Sequence, residues 1–246
     1  MLVPGTSFYS KSHMLRSPAM ADFEEILTKI PVEMDGKELG KVSVVVTRPK
    51  KFHLALVLAH GAGGNLHSPP LKDITRGLAE QGIAAARFNF LYSENKKRAP
   101  DRKPQLVACW RSVADWLKQE LGTASLFLGG KSMGGRMSSY LAAEGYPCAG
   151  LVFLGYPLHP PGKTDRLRKA HLPDISVPML FVAGTRDSFA KLDLLRPTIE
   201  EIGQLASLHV IEDGDHSFKV PKRAGRSESQ VIAEILDVTA SWLKTE

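Results

Sequence analysis

Short, nearly continuous apolar runs alternate along the chain with longer segments whose apolar positions recur every three or four residues. The short runs predict strands at 29–33, 42–47, 54–59, 83–88, 125–129, 150–154, 179–183 and 208–211. Helical spacing predicts helices over 71–81, 105–121, 132–144, 192–202 and 229–243. Within 105–121, Val107, Trp110, Val113, Ala114 and Leu117 fall on one face. Asp35-Gly36 between the first two strands is a hairpin signal and predicts an antiparallel pair. Beyond it, strand and helix alternate, the pattern of an α/β protein with a mostly parallel sheet covered by helices on both faces. No internal repeat or long linker interrupts the pattern. One domain over 28–246 is expected, behind a flexible N-terminal lead-in over 1–27.

Bulk properties narrow the class. The 246 residues are 43% hydrophobic and 24% charged, as in an ordinary globular protein with a substantial core. No apolar run approaches the ~18 residues of a membrane span, and Met1 to Met20 lacks the apolar block of a secretory signal, so no membrane partner is expected. Two cysteines, Cys109 and Cys148, make a disulfide framework improbable and fit a reducing, cytoplasmic setting. The formal net charge of +6 is a mild excess. No recognition module or interleaved aromatics accompany the basic residues, which argues against nucleic acid as a partner.

In a parallel α/β sheet, ligands bind beyond the carboxyl ends of the strands. The loops to search are 61–70, 89–104, 155–177, 184–191 and 212–222. At one such end stands Gly130-Lys131-Ser132-Met133-Gly134, a G-x-S-x-G pattern between a predicted strand and a predicted helix. A serine on that turn is held in strained backbone with its hydroxyl exposed, and the glycines let strand and helix close together. Ser132 is therefore the candidate nucleophile. Two phosphate-binding readings fail on single residues. A P-loop ending at Gly130-Lys131-Ser132 would need glycine where Ser125 stands, and a Rossmann fingerprint starting at Gly61 would need glycine at Leu66.

A serine needs a base, and the base needs an acid to orient it. Asp187 follows the seventh predicted strand and His216 follows the eighth, giving the chain order Ser, Asp, His. Asp213 and Asp215, beside His216, are expected to shape its turn, and Asp193 is the fallback acid. The oxyanion of acyl transfer needs two donors. One is expected from the backbone N–H of Met133, the other from Ala62 or Gly63 in the loop His60-Gly61-Ala62-Gly63-Gly64, with His60 as a structural residue of that loop. No His, Cys or Asp pair has metal-site spacing, so neither metal nor cofactor is expected.

With these motifs in place, the chain resembles the α/β-hydrolase superfamily over 29–243. Within it, the chain is similar to the small dienelactone-hydrolase-like group, and closest to the testis-expressed-30-like branch. Ala59-His-Gly-Ala-Gly-Gly64, Gly129-Gly-Lys-Ser-Met-Gly-Gly-Arg136, Gly155-Tyr-Pro-Leu-His-Pro160 and Asp215-His-Ser217 carry the resemblance. It implies an α/β-hydrolase fold with an eight-stranded sheet whose second strand is antiparallel. It also implies Ser132 as nucleophile with Asp187 and His216 completing a triad. The dienelactone enzymes of the group use cysteine where this chain has Ser132, so their substrate does not carry over.

Only 155–177 separates the sixth and seventh strands, so the cap is minimal and the site is expected to be open. Tyr156 and His159 in that segment are candidate substrate-binding residues. Basic residues gather at the same end: Lys96, Lys97, Arg98, Arg102 and Lys103 in one loop, and Lys163, Arg166, Arg168 and Lys169 in another, with Lys131 and Arg136 beside Ser132. They suggest attraction of an anionic substrate, against ordinary solvated loops. The expected activity is hydrolysis of small-molecule carboxylic esters or thioesters through an acyl-enzyme on Ser132. The alternative is a non-catalytic binding or scaffold protein that keeps the fold.

Overall fold

Asp35 and Gly36 turn the chain with φ of 52° and 73°, the left-handed pair that a two-residue hairpin requires. The strands on either side, β2 (Phe23–Met34) and β3 (Lys37–Pro49), pair antiparallel along almost their full length. The computed structural model describes residues 13–15, 23–122 and 125–246. Beyond β3 come β4 (Leu54–Ala59), α1 (Pro69–Glu80), β5 (Ala84–Phe88), the single turn α2 (Leu91–Glu94) and α3 (Lys103–Leu121). They are followed by β6 (Ser125–Lys131), α4 (Met133–Ala143), β7 (Gly150–Leu154), β8 (Met179–Gly184), α5 (Leu192–Ile202), β9 (Ala206–Ile211) and α6 (Glu228–Thr245). All eight predicted strands and all five predicted helices are present, with boundaries moved by a few residues.

The sheet order is β1-β2-β3-β5-β4-β6-β7-β8-β9, with β1 (His13–Leu15) as a short ninth strand antiparallel to β2. β3 is antiparallel to both its neighbours, and every pairing from β5 to β9 is parallel. Strand pairing thus begins inside the segment read as a lead-in, and β2 starts at Phe23 rather than after residue 27. The rest of that segment, 1–12 and 16–22, lies outside the described residues. Sequence pattern misses the start of β2 because Glu24 and Glu25 interrupt its apolar run.

Glu25 is buried because Arg87 of β5 reaches it at 2.9 Å and Arg76 of α1 also grips it. Arg87 further bonds the hydroxyls of Thr47 and Thr75 and the carbonyl of Leu66. A buried ion pair is tolerated only with its remaining donors satisfied in this way. The network fixes the loop after β4 to the sheet beneath it.

Side chains alternate across the sheet and build two cores. Along β4, Ala55, Val57 and Ala59 pack on the side of α3 and α4, where Trp110, Val113 and Leu117 are buried. Leu56 and Leu58 face α1 and α6, against Ile74, Leu78, Val231 and Ile235. Burial on both faces explains why these strands read as continuous apolar runs.

Candidate active site

β6 ends against the carboxyl end of β4, and the approach is close. A Cβ on Gly130, whose φ is 152°, would lie 2.3 Å from the carbonyl oxygen of Ala59, and so would a Cβ on Gly134. Only glycine fits at either position, and the chain passes from strand to helix in a single residue. That residue is Ser132, with φ 51° and ψ −113°, a conformation that non-glycine residues rarely adopt. Its N–H bonds the carbonyl of Leu154 at 3.0 Å, and its own carbonyl accepts from Arg136 in the first turn of α4.

The Ser132 hydroxyl lies 2.9 Å from Nε2 of His216, whose Nδ1 stands 2.9 and 3.0 Å from the two carboxylate oxygens of Asp187. A carboxylate only accepts, so Nδ1 carries the proton and Nε2 is the acceptor for the serine hydroxyl. The Asp187 side chain is wholly buried, and its Oδ1 also accepts from the Phe189 amide at 2.7 Å. The ring of Phe189 covers the His216 ring, with centroids 4.3 Å apart. Among the described residues none of the other acids hydrogen-bonds the His216 ring. Asp215 accepts from the amides of Ser217 and Lys219, closing the turn that carries His216. Asp213 lies 3.6 Å from Arg223, and Asp193 is exposed in the first turn of α5.

Lys131 precedes Ser132 and its ammonium bonds the carbonyl of His216. Burial lowers its pKa to about 8, against the opposing pull of Asp187 and Asp215. The lysine thus ties the serine's strand to the histidine's loop from within the site.

Of the expected oxyanion donors, the N–H groups of Met133 and Ala62 have no protein acceptor among the described residues. Gly63 differs. It borders neither cavity at Ser132, and the Tyr92 hydroxyl beside this loop donates to the Gly61 carbonyl at 3.4 Å. His60 is buried beneath the loop, with Nδ1 2.8 Å from the Gly61 carbonyl and Nε2 accepting from the Phe90 amide at 3.3 Å. Burial lowers its pKa, which suits a neutral ring bridging donor and acceptor. Asn89 bonds the Leu66 amide on the far side of the same loop.

Two cavities meet at Ser132 and Ala62. One, of about 370 Å³, is largely apolar, walled by Pro70, Leu71, Ile74, Phe218 and Ile232 and floored by His216 and Lys131. The other, of about 330 Å³, is bordered by Met133 and Met137 and by the charged residues Lys103, Arg136, Arg168 and Asp101. Tyr156 and His159 border neither, which corrects their expected place in the pocket. Each is only 1% exposed. The Tyr156 ring packs on Phe153 and Phe181, and its hydroxyl bonds the Arg168 carbonyl at 2.8 Å. Position after a strand end suggested the pocket, but apolar neighbours from β7 and β8 draw the side chain inward. Phe189 borders both cavities and was missed from sequence, although it stands two residues after Asp187 on the same loop. Ile232 carries no local signal, since α6 reaches the site only through the fold.

Among the described residues no helix is long and apolar enough to cross a membrane, and no three His, Cys, Asp or Glu side chains gather as a metal site. The sequence model of the family described as "Alpha/beta hydrolase domain" matches residues 52–244, well over half the chain. The chain belongs to the α/β hydrolase family.

Solved structures agree on the fold of this α/β hydrolase. A dienelactone hydrolase from Anabaena variabilis is 18% identical with a TM-score of 0.73, over 92% of this chain and 99% of its own. An alpha-beta serine hydrolase homologue from Coxiella burnetii is 16% identical with a TM-score of 0.67, over 96% of this chain and 99% of its own. An α/β serine hydrolase without lid from Xanthomonas campestris is 21% identical with a TM-score of 0.66, over 86% and 90%. Between β7 and β8 the chain described here carries no α-helix, only the 3-10 turn Leu172–Asp174.

Proposed function

We propose that this α/β hydrolase is a serine hydrolase of small-molecule carboxylic esters or thioesters, with Ser132, His216 and Asp187 as its catalytic triad. The observation that carries the reading is the hydrogen-bonded chain from the Ser132 hydroxyl through His216 to buried Asp187, at a serine held with positive φ. His216 Nε2 takes the hydroxyl proton as Ser132 Oγ bonds to the carbonyl carbon. The amides of Met133 and Ala62 receive the oxyanion, and His216 returns the proton to the leaving oxygen or sulfur. Water then gives a proton to His216 as it attacks the acyl-enzyme, and His216 passes that proton to Ser132 Oγ as the ester bond breaks and the acid departs. Asp187 holds the ring in its working tautomer throughout.

The same reading places the protein in the cytoplasm, as a dienelactone-hydrolase-like enzyme of the testis-expressed-30-like branch, with an open site under a minimal cap. The motifs of that resemblance around Ala62, Ser132 and His216 line the cavities at Ser132, and a serine hydrolase without lid is among its structural neighbours. The test is labelling by a neutral fluorophosphonate, with hydrolysis of a panel of p-nitrophenyl esters and thioesters. Wild type should be labelled and active. Ser132→Ala should lose labelling and about 10⁴–10⁶ in kcat. A folded wild-type protein that is neither labelled nor active would leave a binding or scaffold role instead.

A further inference from the structure

The cavity on the Met133 side is unusual in its charge. Lys103, Arg136 and Arg168 border it against one carboxylate, Asp101, a surplus of two positive charges. Among the described residues none of the three cations makes a salt bridge. Asp101 is turned to other work, accepting from the Tyr92 amide at 2.9 Å. The Nε of Arg136 is buried without any hydrogen-bond partner, a condition that native structures seldom leave unanswered.

The cations are also held in place. Arg136 lies one helical turn beyond Ser132, its amide bonded to the Ser132 carbonyl at 3.0 Å, so guanidinium and nucleophile share one rigid frame. The backbone of Arg168 is clamped from both sides, its N–H on the Leu158 carbonyl at 2.7 Å and its carbonyl on buried Tyr156. The Lys103 ammonium sits over the Tyr140 ring, 4.3 Å from its centroid. Burial, and then the charge of Arg136, lowers the pKa of Arg168, as expected of like charges gathered without an anion between them.

We propose that this cavity is a carboxylate subsite, in which Arg136 and Arg168 receive an anionic end of the substrate while the scissile carbonyl lies on Ser132. Planar guanidinium groups match a carboxylate, and the neighbouring Asp101 disfavours a more highly charged group. The apolar cavity then takes the uncharged portion of the same molecule. The proposal rests on Ser132 as the nucleophile and adds the substrate class, half-esters or half-thioesters of dicarboxylic acids.

Mono-p-nitrophenyl adipate and its methyl-capped, neutral analogue test it. At about 0.5 M salt the Debye length is roughly 4 Å, so long-range attraction is suppressed and contact is what remains. Wild type should favour the charged ester by about tenfold or more in kcat/KM, the return expected of a charge-assisted hydrogen bond. Arg136→Gln should collapse that ratio, Arg136→Lys should restore part of it, and Lys96→Gln/Lys97→Gln/Arg98→Gln should leave it in place. A ratio near one in wild type, or a ratio kept by Arg136→Gln with an unchanged thermal melt, would overturn the subsite. Should Arg136→Gln fail to fold, Arg168→Gln takes its place under the same criteria. Labelling by the neutral fluorophosphonate reports on Ser132 separately. If labelling fails, calorimetry of adipate with Ser132→Ala, with and without Arg136→Gln, decides the subsite: Arg136-dependent binding supports it and no binding overturns it.

Discussion

At the scale of single residues, the chemistry turns on which acid serves His216. Asp187 is buried, within 3.0 Å of Nδ1 by both oxygens, and fixed by the Phe189 amide, whereas Asp193 is exposed on α5. Asp187→Asn should therefore lower kcat by about 10⁴, because the amide favours the wrong imidazole tautomer. Asp193→Asn, Asp213→Asn and Asp215→Asn, made separately, should each lose far less. A pre-steady-state ester assay on the four variants checks this, and a comparable loss in Asp193→Asn alone would move the acid. That Asp187, His216 and Ser132 stand as one hydrogen-bonded chain is legible in sequence from their order and their places after strands. Lys131 is not legible as a tie between loops, since a lysine inside G-x-S-x-G reads as exposed until the His216 carbonyl is seen beside it.

Among the elements, the loop after β4 is the part most dependent on support from elsewhere. Asn89 holds the Leu66 amide, and Glu94 of α2 holds Asn89 at 2.9 Å while also binding Ser43 and Lys29. Burial would raise the carboxyl pKa of Glu94, but hydrogen bonds from Lys29, Asn89 and Ser43 outweigh it and bring the value down from 4.5 to about 2. The folded state therefore binds this proton more weakly than the unfolded chain. Its stabilisation is fully present above pH 4.5 and lost as pH falls through 2. Glu94→Ala should cost about 2–3 kcal/mol near neutral pH, with the gap to wild type narrowing in acid, as measured by urea unfolding across pH. Esterase activity should fall with it, because the amide of Ala62 belongs to the supported loop. Sequence pattern missed α2 for a plain reason: four residues are too few for helical periodicity to register.

Over the whole molecule, charge acts at two ranges. Arg136 and Arg168 border a cavity at Ser132, while Lys96, Lys97 and Arg98 are exposed and border neither cavity. The outer three can act only by drawing an anionic ester toward the site. Their joint replacement by Gln should lower kcat/KM for a rapidly turned over anionic ester at low salt and leave its neutral analogue alone. The difference should fade as the Debye length shrinks to about 10 Å at 0.1 M. Stopped-flow kinetics across ionic strength measures it, and equal salt sensitivity of charged and neutral esters would make these loops ordinary solvated surface. The short connection between β7 and β8 leaves this end of the sheet without a helical lid, so charge at the rim faces solvent directly.

What the sequence determined by itself is what local patterning and chain order can carry. Apolar runs set the strands, Asp35-Gly36 set the hairpin, and Gly130 with Gly134 set the tight strand-to-helix turn that carries Ser132. These are properties of neighbours along the chain, so they survive without knowledge of the fold. Tertiary structure alone decided the rest. Glu25 and Arg87, far apart in sequence, could not be seen as one buried pair, and so the true start of β2 was hidden. Tyr156 and His159 follow a strand end as binding residues do, yet both are buried, Tyr156 against Phe153 of β7 and Phe181 of β8 and His159 with its N–H on the Phe189 carbonyl. Ile232 of α6 and Arg136 of α4 meet the same serine from opposite sides, one building an apolar wall and the other a cationic one. A cavity is made by residues distant along the chain, and its shape and charge follow only once packing has brought them together.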